Sequence, residues 1–263
     1  MPAWTTLEFT RDQGVAHITL NRPDAANGLD MTMAQELLQV SIACRADPEV
    51  RAVLLDAHGR MFCAGGDLKS FVAHQAQLHA YIKELTTYLH AAIANFARMR
   101  APLIAAVQGA AAGAGFSIVC CADLVLAARS AKFTMAYTGA GLVPDGSSSY
   151  FLPRIVGLRR TQELMLTNRR LGAEEALDWG IVTRVVDDEA LTAEAGDLAQ
   201  QIAAGPTGAF AAVKKLLAGT FECSLETQME QESMAIADAA ISADGLEGVA
   251  AFFARRPAVF SGH

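Results

Sequence analysis

Two glycine-rich turns, one aspartate and one histidine are the parts of this sequence best suited to chemistry. The first turn is Phe62-Cys63-Ala64-Gly65-Gly66-Asp67-Leu68, and the second runs from Gly109 through Gly113 to Gly115. Each lies where a strand should end and a helix begin, so its backbone N–H groups lack intrahelical partners. Small residues let a ligand oxygen come close to them. Two such turns side by side could aim one N–H each, from Gly66 and Ala114, at a single carbonyl oxygen, forming an oxyanion hole. The glycines could equally serve only tight turns and close packing. The second turn does not match the G-x-G-x-x-G dinucleotide spacing.

Asp145 sits in Pro144-Asp145-Gly146-Ser147, just before an expected helix. A carboxylate there could be a general base. An aspartate in such a turn is also a natural N-cap, and the residues alone leave both readings open. His90, before the second glycine-rich turn, reads as a surface or packed residue or as a catalyst. Lys214 and Lys215 read as a solvated helix face, or Lys214 as an anion partner; Arg22, in Asn21-Arg22-Pro23, has the same two readings.

Stepping outward, Val15 to Leu20 reads as a strand and Arg51 to Asp56 holds another. Thr32 to Arg45 fits a helix with Thr32 as its cap, and a long helix should carry Leu85, Leu89 and Ile93 to Arg100. Pro102 to Val107 is a further strand, Phe116 to Cys121 opens a helix, and Leu124 to Ala127 is a strand. Two successive strand, glycine turn, helix units predict a stacked, spiral α/β core. From Ser147 the chain reads as mainly helical, with one short strand at Ile181–Val186. The expected division is a core over 1–200 and a C-terminal helical region over 201–263.

A net charge of −7 argues against a general nucleic-acid binder. The apolar stretches are too short for a membrane span, and no signal peptide is expected at the N-terminus. The five cysteines lack metal-binding spacing, which predicts reduced thiols in a cytoplasmic protein with no metal. Charged residues make up only 19%, which hints at surface covered by other subunits.

The two turns, with Pro102–Gly115, Ala131-Lys132-Phe133, Gly141–Asp145, Leu152-Pro153-Arg154 and Ala176–Val182 in order, resemble the crotonase (enoyl-CoA hydratase/isomerase) superfamily. The resemblance implies a spiral of ββα units, C-terminal trimerisation helices and a homotrimer or hexamer. It implies a coenzyme A thioester as substrate and no separate cofactor. The N–H groups of Gly66 and Ala114 would bind the thioester oxygen. Arg22, Ala64, Asp67, Leu68 and Lys214 would contact coenzyme A, and Tyr137, Ser117 and Leu89 would line the acyl pocket.

Enoyl-CoA hydratases carry two glutamates, and Ser117 and Tyr137 stand at the matching positions. The expected activity is therefore an enoyl-CoA isomerase with Asp145 as its one carboxylate, similar to isomerases of phenylacetate degradation. His90 with Asp145 also resembles the pair of 4-chlorobenzoyl-CoA dehalogenases, which keeps aryl-CoA hydrolysis as an alternative. A hydratase and an inactive acyl-CoA-binding paralogue are the remaining alternatives.

Overall fold

The fold starts with β1 (Leu7–Asp12), paired antiparallel with β2 (Val15–Leu20). The computed structural model describes residues 4–263; the N-terminal reading rests partly on residues 1–3, which lie outside them. Helix α1 (Met31–Ala46) leads to β3 (Ala52–Ala57), parallel to β2. The short α2 (Leu68–Ala73) and the long α3 (Leu78–Arg98) follow. Then come β4 (Leu103–Val107), β5 (Ala110–Ala112), α4 (Ala114–Cys121), β6 (Leu124–Ala128) and β7 (Lys132–Thr134). Helices α5 (Ser148–Val156) and α6 (Leu158–Thr167), β8 (Leu171–Gly172), α7 (Ala173–Asp178), β9 (Arg184–Val186) and α8 (Leu191–Ala203) close the core. The chain ends in α9 (Thr207–Gly219), α10 (Leu225–Ile241) and α11 (Ala243–Ala254).

The main sheet has the order β1-β2-β3-β4-β6-β9 and is parallel beyond the first hairpin. A smaller sheet, β5-β7-β8, stacks the next turn of the spiral. Parallel strands are covered on both faces, so they read as continuous apolar runs rather than as alternation. In β3, Val53 and Leu55 enter the main core while Ala52 and Leu54 meet the side covered by α8. In β4, Leu103, Ala105 and Val107 face one way and Ile104 and Ala106 the other. Helix α3 presents Leu85, Leu89, Ala92, Ile93 and Phe96 to the core at helical spacing. His90 follows Leu89 by one residue, about 100° round the helix, and stays half-exposed.

Several expectations need correction. Asp30, not Thr32, caps α1, accepting the Met33 N–H at 2.9 Å. The expected boundary at residue 200 falls inside α8, which packs on β3, β4 and β6. The outer helical layer therefore begins at α9. Strands β1, β5, β7 and β8 went unread, because three of them have three residues or fewer and β1 is polar along most of its length.

Candidate active site

The two glycine-rich turns touch. Cys63 N–H donates to the Ala110 carbonyl at 3.1 Å, and Ala112 N–H donates to the Cys63 carbonyl at 2.8 Å. Gly115 has no room for a side chain, since an added Cβ would lie 2.5 Å from the Cys63 carbonyl oxygen. At Gly65, with φ +99°, an added Cβ would lie 3.5 Å from the Ala114 nitrogen. The first turn is pinned from its other side, with Leu29 N–H donating to the Gly65 carbonyl at 2.8 Å and Asp67 N–H to the Leu29 carbonyl at 2.9 Å. Among the described residues, neither the Gly66 nor the Ala114 N–H meets an acceptor. These close contacts, not propensity, explain the run of glycines.

Of the two readings its sequence context left open, the structure bears on the cap. Its carboxylate does not cap α5. The N-cap position is Ser147, held at φ +68° with no side-chain cap. The Asp145 backbone carbonyl accepts the Ser117 hydroxyl at 2.8 Å and the Ser148 hydroxyl at 3.0 Å. The carboxylate accepts the Tyr137 hydroxyl on Oδ1 at 2.7 Å. Burial, and then the charge of Asp145, push the Tyr137 phenol well above the ordinary tyrosine range. Tyr137 is therefore a donor throughout the working pH range.

His90 Nε2 lies 3.3 Å from Asp145 Oδ2 and 3.2 Å from the Gly146 nitrogen. One ring nitrogen cannot serve both neighbours at once. In neutral histidine Nε2 can accept the Gly146 N–H; in the imidazolium it donates to Asp145. The pair is open to solvent on the His90 side, since that side chain is half-exposed.

The remaining expected site residues divide. Ser117 is fully buried beside Tyr137 and Asp145. Leu89 is buried in the main core, whereas Ala64 and Leu68 are exposed on either side of Gly66. Asp67 caps α2 through the Lys69 and Ser70 N–H groups and accepts Arg22 Nη2 at 3.0 Å. Burial raises its carboxyl, but the Arg22 and N–H hydrogen bonds outweigh burial and hold it below the usual carboxylate range. Arg22 also pairs with Asp30 at 3.1 Å.

Lys214 corrects the expectation of a solvated helix face. Its ammonium is almost wholly covered, pairs with Asp123 and donates to the Phe96 and Ala101 carbonyls. Arg22 and Lys214 are thus committed to internal partners. Sequence reasoning missed the Tyr137–Asp145 bond and the Ser148 anchor. No spacing rule connects residues eight apart in a loop, so only the folded turn could reveal the bond. Among the described residues, no group of three or more His, Cys, Asp or Glu side chains is placed to hold a metal ion.

Comparison with known proteins places this arrangement. A family model described as enoyl-CoA hydratase/isomerase matches residues 10–263. A protein of Rhodobacter capsulatus, named as a probable enoyl-CoA hydratase, is 38% identical over 99% of both chains. The 1,2-epoxyphenylacetyl-CoA isomerase of Escherichia coli is 36% identical, covering 95% of this chain and 96% of that one. The 4-chlorobenzoyl coenzyme A dehalogenase-2 of an Arthrobacter species is 37% identical over 83% of this chain and 80% of its own. The solved structure of an enoyl-CoA hydratase from Polaromonas superposes with a TM-score of 0.92 at 31% identity, over 97% of this chain and 99% of that one. The chain belongs to the enoyl-CoA hydratase/isomerase family and has the crotonase fold.

Proposed function

We propose that the protein is an enoyl-CoA isomerase that works with one carboxylate. The observation that carries this reading is an Asp145 carboxylate released from capping and held by Tyr137. In the proposed reaction the thioester oxygen accepts hydrogen bonds from the Gly66 and Ala114 N–H groups. Asp145 takes a proton from the carbon next to the double bond, and the negative charge spreads onto that oxygen. Asp145 then returns the proton to the far end of the conjugated system. Stabilising charge that exists only in the transition state is what raises the rate. Tyr137 occupies Oδ1, which leaves Oδ2 as the oxygen that moves the proton.

Hydration instead needs one group to activate water and another to protonate carbon. Ser117 and Tyr137 stand where hydratases are expected to carry those two acids. The Ser117 hydroxyl donates to a backbone carbonyl rather than to a base, and Tyr137 is held in its protonated form. In this scheme no metal or redox group takes part, and the substrate brings its own coenzyme A. The test offers 3-enoyl-CoA and 2-enoyl-CoA separately and follows conjugation and water addition by absorbance. Fast conversion of the 3-enoyl ester with slow water addition supports the isomerase; efficient hydration of the 2-enoyl ester that survives Asp145→Asn contradicts it.

One contact favours a second reading, hydrolytic dehalogenation of an aryl-CoA. His90 Nε2 stands 3.3 Å from Asp145 Oδ2, close enough to activate water against an ester formed on that carboxylate. Halide release from a haloaryl-CoA that needs both residues would establish it. We also propose that the chains assemble as trimers or paired trimers through α9–α11, because large apolar side chains there are exposed.

A further inference from the structure

Ser117 sits on α4, three residues after Ala114, and is fully buried. Its oxygen lies 2.8 Å from the Asp145 carbonyl oxygen, 3.1 Å from the Tyr137 hydroxyl and 3.3 Å from the Gly113 carbonyl oxygen. Tyr137 spends its proton on Asp145 Oδ1 at 2.7 Å. The single proton of Ser117 therefore goes to the nearest acceptor, the backbone carbonyl of Asp145. One side chain thus grips the acid through its main chain and touches the phenol that orients its carboxylate. It does so from the same helix that begins with the Ala114 N–H.

The fit is steric as well as polar. At Gly146, with φ +62°, an added Cβ would stand 2.9 Å from Ser117 Cβ and 3.4 Å from Ser117 Oγ. A side chain at position 146 would therefore push the turn away from Ser117 and carry Asp145 with it.

We propose that Ser117 is a positioning residue that sets the place of Asp145 relative to the Ala114 N–H. It acts through the Asp145 carbonyl and by being small, and it never touches substrate. The proposal rests on Asp145 being the base.

The test compares Ser117→Ala and Gly146→Ala with the wild-type chain, measuring kcat and KM for 3-enoyl-CoA, the amount of acyl-CoA-binding protein and the melting temperature. Ser117→Ala keeps the room but removes the donor. Its kcat should fall about tenfold with KM nearly unchanged, since small misplacements of a reacting group cost rate. Asp145 loses its main-chain anchor to Ser117, so the loss should appear in kcat while acyl-CoA affinity stays near that of the wild type.

A kcat like that of the wild type overturns the proposal. So does a lower kcat matched by an equal loss of acyl-CoA-binding protein, which marks mere loss of folded enzyme. If Ser117→Ala melts below the assay temperature, Gly146→Ala tests the same contact from the loop side, and an unchanged kcat there overturns the proposal. Asp145→Asn is measured alongside. Retained turnover in that variant removes the base assignment itself. Lost turnover there, with Ser117→Ala unaffected, removes only the positioning role.

Discussion

The spiral core and the outer helices α9–α11 dispose of their apolar residues in opposite ways. In β3 and β4 every residue from Ala52 to Leu55 and from Leu103 to Val107 is buried within the chain. In α10 no residue is buried, and Phe252 and Phe253 of α11 are 79% and 80% exposed. Hydrogen bonds within the core join its two glycine turns. The outer layer carries apolar side chains that this chain alone does not cover, and exposed apolar patches of this kind mark contact surfaces. The glycine turns are thus held by contacts within the chain, whereas the outer layer fits contact with further copies, as proposed above.

The contrast can be broken from the outside first. Phe252→Ser with Phe253→Ser should reduce a trimer or hexamer to single chains in sedimentation. The folding stability of the separated chain should change by no more than about 0.5 kcal/mol, as for other exposed substitutions. A variant whose mass is unchanged would place the assembly face elsewhere.

On the core side, Gly115→Ala forces a methyl group to within 2.5 Å of the Cys63 carbonyl. The clash is with backbone, so a loss of about 3 kcal/mol is expected in chemical denaturation. A loss below about 1 kcal/mol would mean that the two turns are not locked together.

Smaller effects sharpen the picture. Asp67→Asn weakens the cap on α2 and the Arg22 pair, with an expected cost of about 1 kcal/mol. Because the folded carboxyl is held below its ordinary value, this stabilisation is present above the usual carboxylate range. It is lost as pH falls through the depressed value. The wild-type advantage over Asp67→Asn in melting temperature should therefore shrink in acid.

The smallest effect lies between the neighbouring strands β2 and β3, where His17 pairs with Asp56 at 2.8 Å. The Asp56 hydrogen bond raises the His17 pKa despite partial burial. The ion pair therefore contributes fully below the ordinary histidine value of about 6.5 and fades as pH rises through the raised value. His17→Gln should flatten that decline in melting temperature between weakly acidic and weakly basic pH.

Much of this architecture was legible in the sequence because the core obeys simple periodicities. Strand β2, helices α1 and α3, and the two glycine turns follow from apolar runs and punctuation by small residues. The short strands of the second sheet did not, since three residues carry no period. At the site, Asp145, His90, Gly66 and Ala114 could be singled out by residue type and motif. What stayed hidden was the wiring. The residues around Asp145 suit a cap as well as a base, and local sequence does not show that the cap position falls on Ser147. Lys214 looked solvated because its partner Asp123 lies 91 residues away in the chain. Long-range pairing leaves no mark on local sequence.

The most direct test of the single-carboxylate account is the turnover of 3-enoyl-CoA by Asp145→Asn, with acyl-CoA affinity measured on the same preparation. Asparagine keeps an oxygen for the Tyr137 hydroxyl but removes the negative charge and with it the capacity to take a proton. The account predicts a fall in kcat of roughly 10²–10⁴-fold with affinity nearly unchanged. Turnover that stays within about tenfold of the wild type, in a folded variant that still binds ligand, would contradict it.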